Sequence, residues 1–239
     1  MKNIRLNISD NDFLKIFLIK DYSLLWFSSF TSMLSMQIRI IATGFILYDI
    51  TGSGLSLGML GIIQLFFQLP SILYGGVLAD FFKRTTIITI SQSFGTVVIF
   101  ILFYLTATEL INEWHIYIST ALLSINSTIG GPARSALTAN LVPKKLLINA
   151  VAANTATMQI GSVAAPILFG LFTVSFGASY PLLIGSIAAL ISAITCILIK
   201  NDNYIKNTNK MSPIKNIVEG FIYVKAVSYT HLRAHETQR

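Results

Sequence analysis

Hydrophobic residues in this chain come in long unbroken runs, without the regular charged positions of an amphipathic soluble helix. Six runs reach the roughly 20 residues that carry an α-helix across a hydrocarbon core of about 30 Å. They are Leu24–Tyr48, Leu55–Ala79, Thr86–Thr106, Ile116–Ala136, Leu146–Phe172 and Tyr180–Ile199. The second, third, fifth and sixth runs contain no charged residue. None alternates with period two, which argues for helices over barrel strands. The pattern predicts an all-α membrane protein with six transmembrane helices.

The breaks between runs set the expected orientation. Asp49–Gly54, Ala107–His115 and Thr173–Ser179 hold no Lys or Arg, and their only charges are Asp49, Glu109 and Glu113. The opposite set of segments carries Lys2, Arg5, Lys15, Lys20, Lys83, Arg84, Arg134, Lys144, Lys145, Lys200, Lys206, Lys210, Lys215 and Lys225. That places 14 of the 17 basic residues on one side, the cytoplasmic side by the positive-inside rule. Both termini are expected in the cytoplasm of a cell carrying the protein in its cytoplasmic membrane. The corresponding division is a cytoplasmic segment 1–23, a six-helix bundle 24–199, a cytoplasmic central loop 200–227 and a non-native tail 228–239.

Two amphipathic pieces flank the spans. Asp12–Lys20 brings Phe13, Phe17 and Leu18 to the start of the first helix. Ser212–Pro213 can cap a helix whose apolar stripe is Ile214, Ile217, Val218, Phe221 and Val224, which reads as an interfacial helix. From Ser228 the chain turns polar and resembles the translation of a sequencing-library adapter. His231 and His235, at the i, i+4 spacing of a zinc-binding helix face, fall in that tail, so no metal site is expected.

Composition agrees with the run pattern. The chain has 239 residues, 54% hydrophobic and 11% charged, with mean hydropathy +0.69. A soluble domain carries about 25% charged residues. The net charge of +7 is spread between apolar runs and forms no nucleic-acid patch. The single cysteine, Cys196, rules out an intrachain disulfide. Met1–Lys20 lacks the form of a cleaved signal peptide, so the first span serves as its own insertion signal.

The loop after the second run reads Gly76-Val77-Leu78-Ala79-Asp80-Phe81-Phe82-Lys83-Arg84. Small residues let helices approach closely, and an Asp at a helix end can meet nearby cations or a helix N-terminus. At this position the loop resembles the G-x-L-A-D-R-x-x-R-R motif of the major facilitator superfamily. Gly76, Leu78, Ala79, Asp80 and Arg84 match, Phe81 stands where the family has a basic residue, and Thr85 replaces the second Arg. Tyr48–Ser53, Gly131–Arg134, Leu141–Pro143, Asn149–Ala150 and Glu219–Tyr223 extend the resemblance to the drug- and siderophore-exporting branch. The branch includes macrolide-efflux and enterobactin-export proteins. The likeness spans roughly Leu24–Lys225, which implies the N-terminal half of a twelve-helix transporter built from 3+3 inverted repeats. It also implies a conformational-gating loop at Gly76, Asp80 and Arg84.

In the fifth run, Gly161, Pro166 and Gly170 resemble the superfamily's antiporter motif, with Ala165 where the family has glycine. Read from the residues alone, the same segment is a kinked packing face. Gln64, Pro70 and Gly75 in the second run find counterparts in Gln159, Pro166 and Gly170, a trace of repeat symmetry whose offsets differ by one residue.

Arg39 is the charge set deepest within a run. It shares a face with Ser28, Ser32, Ser35 and Ala42. An arginine at a helix centre costs roughly 2.5–3.5 kcal/mol on insertion scales. Two readings stand for it: a cavity cation meeting an anionic or polar substrate or a coupling carboxylate, and a snorkelling residue or structural partner of Asp49. The substrate-cavity candidates are Arg39, Ser35, Gln64, Gln68, Asn126, Asn154 and Gln159. Each amide can equally bridge helices.

The expected function is secondary active transport, with efflux of small amphipathic molecules such as drugs, macrolides or siderophores by alternating access. Partners are membrane lipid, a small-molecule substrate, a proton as coupling ion and the missing C-terminal half. Nucleic acid is not among them, and no cofactor is expected. The runs carry no intramembrane carboxylate for proton coupling, and no G-x-x-x-x-G-K-[ST] loop for nucleotide. Alternatives are a six-helix membrane scaffold, a lipid-translocating homodimer or a membrane-embedded enzyme. The enzyme reading lacks paired nucleophile and base at membrane depth, and no catalytic residue is assigned.

Overall fold

The computed structural model describes residues 10–81 and 83–200, with side chains described for 13–71 and 83–200. Seven α-helices follow in order: α1 Asp10–Lys15, α2 Lys20–Thr51, α3 Gly54–Phe81, α4 Arg84–Ala107, α5 Glu113–Leu141, α6 Leu147–Phe176 and α7 Tyr180–Ile197. Single 3-10 turns, Ile16–Leu18 and Lys144–Leu146, lead into α2 and α6. Each of the six apolar runs falls almost wholly within one of α2 to α7. By length and composition α2, α3, α4, α6 and α7 are apolar enough to cross a membrane. The α5 helix is 29 residues long but carries more polar residues. The interfacial helix expected after Ser212 and the tail with His231 and His235 lie outside the described residues.

Local chemistry sets several helix ends. Gly52 ends α2 in the left-handed conformation (φ 62°), where its N–H donates to the Tyr48 carbonyl at 2.8 Å. At the start of α5, the Asn112 side chain accepts from the His115 N–H at 3.1 Å, and His115 Nδ1 accepts from the Asn112 N–H at 3.2 Å. This reciprocal cap satisfies two otherwise orphaned donors and accounts for His115 without a catalytic role. Pro70, Pro132 and Pro166 sit inside helices, where each removes one backbone donor from the ladder.

Contacts between ends define the two poles of the bundle. The Lys200 N–H donates to Asp21 Oδ1 (3.4 Å), Tyr22 Oη to the Ala150 carbonyl (3.2 Å) and Arg84 Nη1 to the Ala136 carbonyl (3.0 Å). The starts of α2, α4 and α6 therefore lie beside the ends of α5 and α7. Lys15, Lys20, Lys83, Arg84, Lys144, Lys145 and Lys200 gather at this pole. Among the described residues the opposite pole carries Asp49, Glu109 and Glu113 and no Lys or Arg.

Apolar packing is concentrated towards the two poles. At the acidic pole Ile46, Leu47, Leu102, Ile116 and Leu182 pack together. At the basic pole Leu25, Ile88, Leu137 and Cys196 form a second cluster, with Ile16, Tyr22, Val142 and Ala150 beside it. Between them, glycines let side chains of neighbouring helices pack against the backbone. A Cβ at Gly130 would lie 2.9 Å from Ser91 Oγ, and one at Gly161 would lie 2.9 Å from Met33 Cγ. The α3 helix contrasts with the rest, for none of Gly54–Ser71 is buried.

Gly130→Val should therefore destabilise the bundle by about 1–3 kcal/mol, the usual cost of overpacking. Gly58→Val, where nothing lies within 4 Å, should be near neutral. Thermal unfolding of both variants in detergent would show the contrast, and equal stability would remove the close α4–α5 contact from the account.

Candidate functional site

A cavity of about 420 Å³ opens near the middle of the bundle, between α2, α4, α5 and α6, with Ala189 of α7 at its back. Its position follows from the packing just described. The apolar clusters close the poles, and small or polar residues hold the middle apart.

Each helix contributes one face. From α2 come Ser29, Ser32, Met33, Ser35, Met36 and Arg39, and from α4 Ser91, Gln92, Gly95 and Ile99. The α5 helix supplies Leu123, Asn126, Ser127, Gly130, Gly131, Arg134 and Ser135, and α6 supplies Asn154, Thr157 and Met158. This polar inward face explains why α5 is less apolar than its neighbours. Its buried Ser119, Ser124 and Thr128 hydroxyls donate to carbonyls of their own helix, so their burial leaves no unpaired donor.

The wall is positively charged. Arg39 and Arg134 both line it, and among the described residues no Asp or Glu does. Arg134 is held in place: Nη1 donates to Ser28 Oγ (3.2 Å) and Ser29 Oγ (3.0 Å), and Nη2 to Ser192 Oγ (3.1 Å). Ser28 and Ser192 are themselves locked across α2 and α7, each hydroxyl reaching the other's carbonyl at 2.9 and 2.8 Å. One guanidinium thus ties α5 to a serine clasp on two other helices. Arg39 makes no hydrogen bond or ion pair with any described residue. In particular it does not pair with Asp49, which stands about 15 Å further along the same helix.

The remaining sequence candidates divide clearly. Ser35 lines the cavity but is buried against α7, where a Cβ at Gly185 would approach its carbonyl at 3.6 Å. Asn126 faces the cavity while bridging helices, donating to the Ser91 carbonyl at 3.0 Å as Ser91 Oγ reaches back to the Asn126 carbonyl at 3.4 Å. Asn154 reaches Thr138 Oγ1 at 3.5 Å. Gln64 and Gln159 are exposed and Gln68 is half-buried, and none of the three lines the cavity. Of the antiporter-like residues, Gly161 packs on Met33, Pro166 is exposed and Gly170 has open space around its Cα. At the start of α4, Arg84 donates to the Ala136 carbonyl. Gly76 lies within α3, and the Asp80 side chain lies outside the described residues.

Sequence reasoning assigned Arg134 to a basic loop and missed its place in the cavity. The available signal was the α5 stripe Ser127, Gly130, Gly131 and Arg134, which continues helical spacing beyond Pro132.

The two arginines should respond differently to substitution. Arg134→Met removes three charge-assisted hydrogen bonds and should cost roughly 1.5–3 kcal/mol of stability. Arg39→Met has no bond to lose and relieves a desolvated charge, so it should be neutral or stabilising. Melting temperatures of the two purified variants decide this, and equal shifts would contradict the division of roles.

Residues 25–230 match the sequence pattern that defines the Major Facilitator Superfamily. No individual curated protein matches the chain. The match covers most of the 239 residues, coincides with a helical bundle of the required composition, and identifies the chain as a member of the Major Facilitator Superfamily, a family of multi-pass membrane transporters.

Proposed function

We propose that this protein is a secondary active exporter of small amphipathic molecules, and that the described bundle is the N-terminal half of its alternating-access machine. The mid-bundle cavity carries this reading. It mixes Met33, Met36, Leu123 and Met158 with serines, amides and two arginines, a surface suited to a ligand with both apolar and polar parts. A site near the membrane midplane between helices is where a rocking transporter holds its substrate.

In this reading α5 also crosses the membrane, as the fourth of six spans, its polar residues turned inward and its outer face left to lipid. The 3+3 repeat finds support in the neighbours of each helix. Exchanging α2 with α5, α3 with α6 and α4 with α7 maps the contact α2–α7 onto α5–α4 and α3–α5 onto α6–α2, while α4–α7 maps onto itself. The unburied α3 would face the missing C-terminal half. That half would also carry the coupling carboxylate for a proton, since the described residues of the cavity wall include none. Gly76, Asp80 and Arg84 would gate the cytoplasmic side, and the Gly161–Gly170 segment would favour antiport.

The basic pole would face the cytoplasm. Cys196 is fully buried, so an introduced cysteine can be labelled against a silent background. Glu109→Cys should react with an impermeant maleimide on intact cells, and Lys145→Cys only after permeabilisation. The reverse pattern would invert the topology.

Export itself is tested with a gene continued beyond Lys225 by independently read coding DNA, expressed in an efflux-deficient bacterium. Accumulation of at least one of a macrolide, a lipophilic dye and a siderophore should fall severalfold relative to vector, and Asp80→Asn should restore it. Unchanged accumulation of macrolide, of lipophilic dye and of siderophore alike would reject efflux. The 239-residue chain alone should show no substrate-driven proton flux in liposomes.

A further inference from the structure

The cavity's charge is one-sided in a way that packing does not require. Arg134 is committed to Ser28, Ser29 and Ser192, so its role in holding α5 against α2 and α7 is complete without any ligand. Arg39 is different. Arg39 lines the same cavity, and its guanidinium, with five donors, meets no acceptor among the described residues. Arg39 begins ten residues beyond Ser29 on α2, about 15 Å along the axis. Helical side chains lean towards the N-terminus, so Arg39 reaches back over the cavity in the direction of Arg134. Between them lie Met33 and Met36, with Met158 and Leu123 on the facing helices. Two positive groups at either side of an apolar patch, with no carboxylate among the described residues of the wall, create a field that repels cations and draws anions.

We propose that the cavity selects organic anions, with Arg39 as the group that receives a carboxylate, sulfonate or phosphate while the methionines cover the ligand's apolar body. This rests on the reading of the cavity as the transport site and narrows its substrate class. A guanidinium offers a planar pair of donors that matches such groups bidentately, which a lysine ammonium does not. Arg134 supplies a fixed positive background and spends its own donors on the serine clasp. Cationic amphiphiles are poor ligands for this wall.

Equilibrium binding tests the proposal without any need for flux, so it can fail separately from the export reading. The 239-residue chain is placed in phosphatidylcholine nanodiscs and titrated with 2-naphthoate and with 2-naphthylmethylammonium. These are aromatic probes of similar size and opposite charge, and empty nanodiscs correct for partitioning. Naphthoate should bind saturably and at least about tenfold tighter than the ammonium. Arg39→Gln should weaken naphthoate by about ten- to a hundredfold, the range for losing a charge-assisted hydrogen bond, and Arg39→Lys should fall between. Circular dichroism and a single gel-filtration peak establish that each variant is folded. Repeating the titration with phosphatidylglycerol present separates two sources of the anion. Unchanged affinity marks a soluble ligand, and competition marks an anionic lipid headgroup using the same arginine. Equal binding of the two probes, no saturable naphthoate binding, or an unaffected folded Arg39→Gln variant would each overturn the proposal.

Discussion

A charge enclosed by helices in lipid has no bulk water to solvate it, and the architecture of this bundle follows from how one such charge is held. Arg134 stands seven residues before the end of α5 and is surrounded by neutral oxygens from Ser28, Ser29 and Ser192. Those oxygens come from α2 and α7, whose serines already exchange hydrogen bonds through their backbones. Three helices are thereby fixed in angle and depth by polar contacts, where a soluble protein would use apolar burial. In lipid, hydrophobic contact gives helices little reason to prefer each other over acyl chains. Close packing of the Ser91 side chain on Gly130 and of Met33 on Gly161 adds dispersion.

Much of this fold was legible from sequence, because lipid solvation imposes a simple rule on every residue of a span. Runs without charge from Leu55, Thr86, Leu146 and Tyr180 appear as α3, α4, α6 and α7 with boundaries only a few residues away. The run Ile116–Ala136 likewise appears as α5, although a helix lining a cavity carries serines, threonines and an asparagine that depress its hydropathy. The cavity was half legible. Arg39, Ser35, Asn126 and Asn154 line it, whereas Gln64, Gln68 and Gln159 do not. A glutamine in an apolar run signals that something polar is needed, but spacing alone does not say which neighbour supplies it. Arg134 escaped notice for a related reason: near a run's end, a basic residue looks the same whether it points to water or into the bundle.

The distribution of polar groups has a second aspect. The two poles are closed by packed aliphatic side chains, and the hydroxyls and amides are gathered between them. Most of these hydroxyls are satisfied locally, donating to a carbonyl three or four residues earlier, so the middle of the bundle is polar without being held together by those groups. Such a wall can accept a guest with little reorganisation. The tightly bridged pairs, Ser91 with Asn126 and Ser186 with the Thr96 carbonyl, tie α4 to α5 and to α7 and leave α6 more lightly attached.

The connections between long helices are short: 52–53, 82–83, 108–112, 142–146 and 177–179. Links of two to five residues leave adjacent helices no slack to slide past one another, so neighbours must swing together. The α2 helix, with 32 residues, is a rod about 48 Å long. A tilt of about 10° pivoting at one tip carries the other through roughly 8 Å, by the same rise per residue. Stiffness and brevity together make this bundle a lever, in which a small angular change at one membrane face becomes a displacement of molecular size at the other.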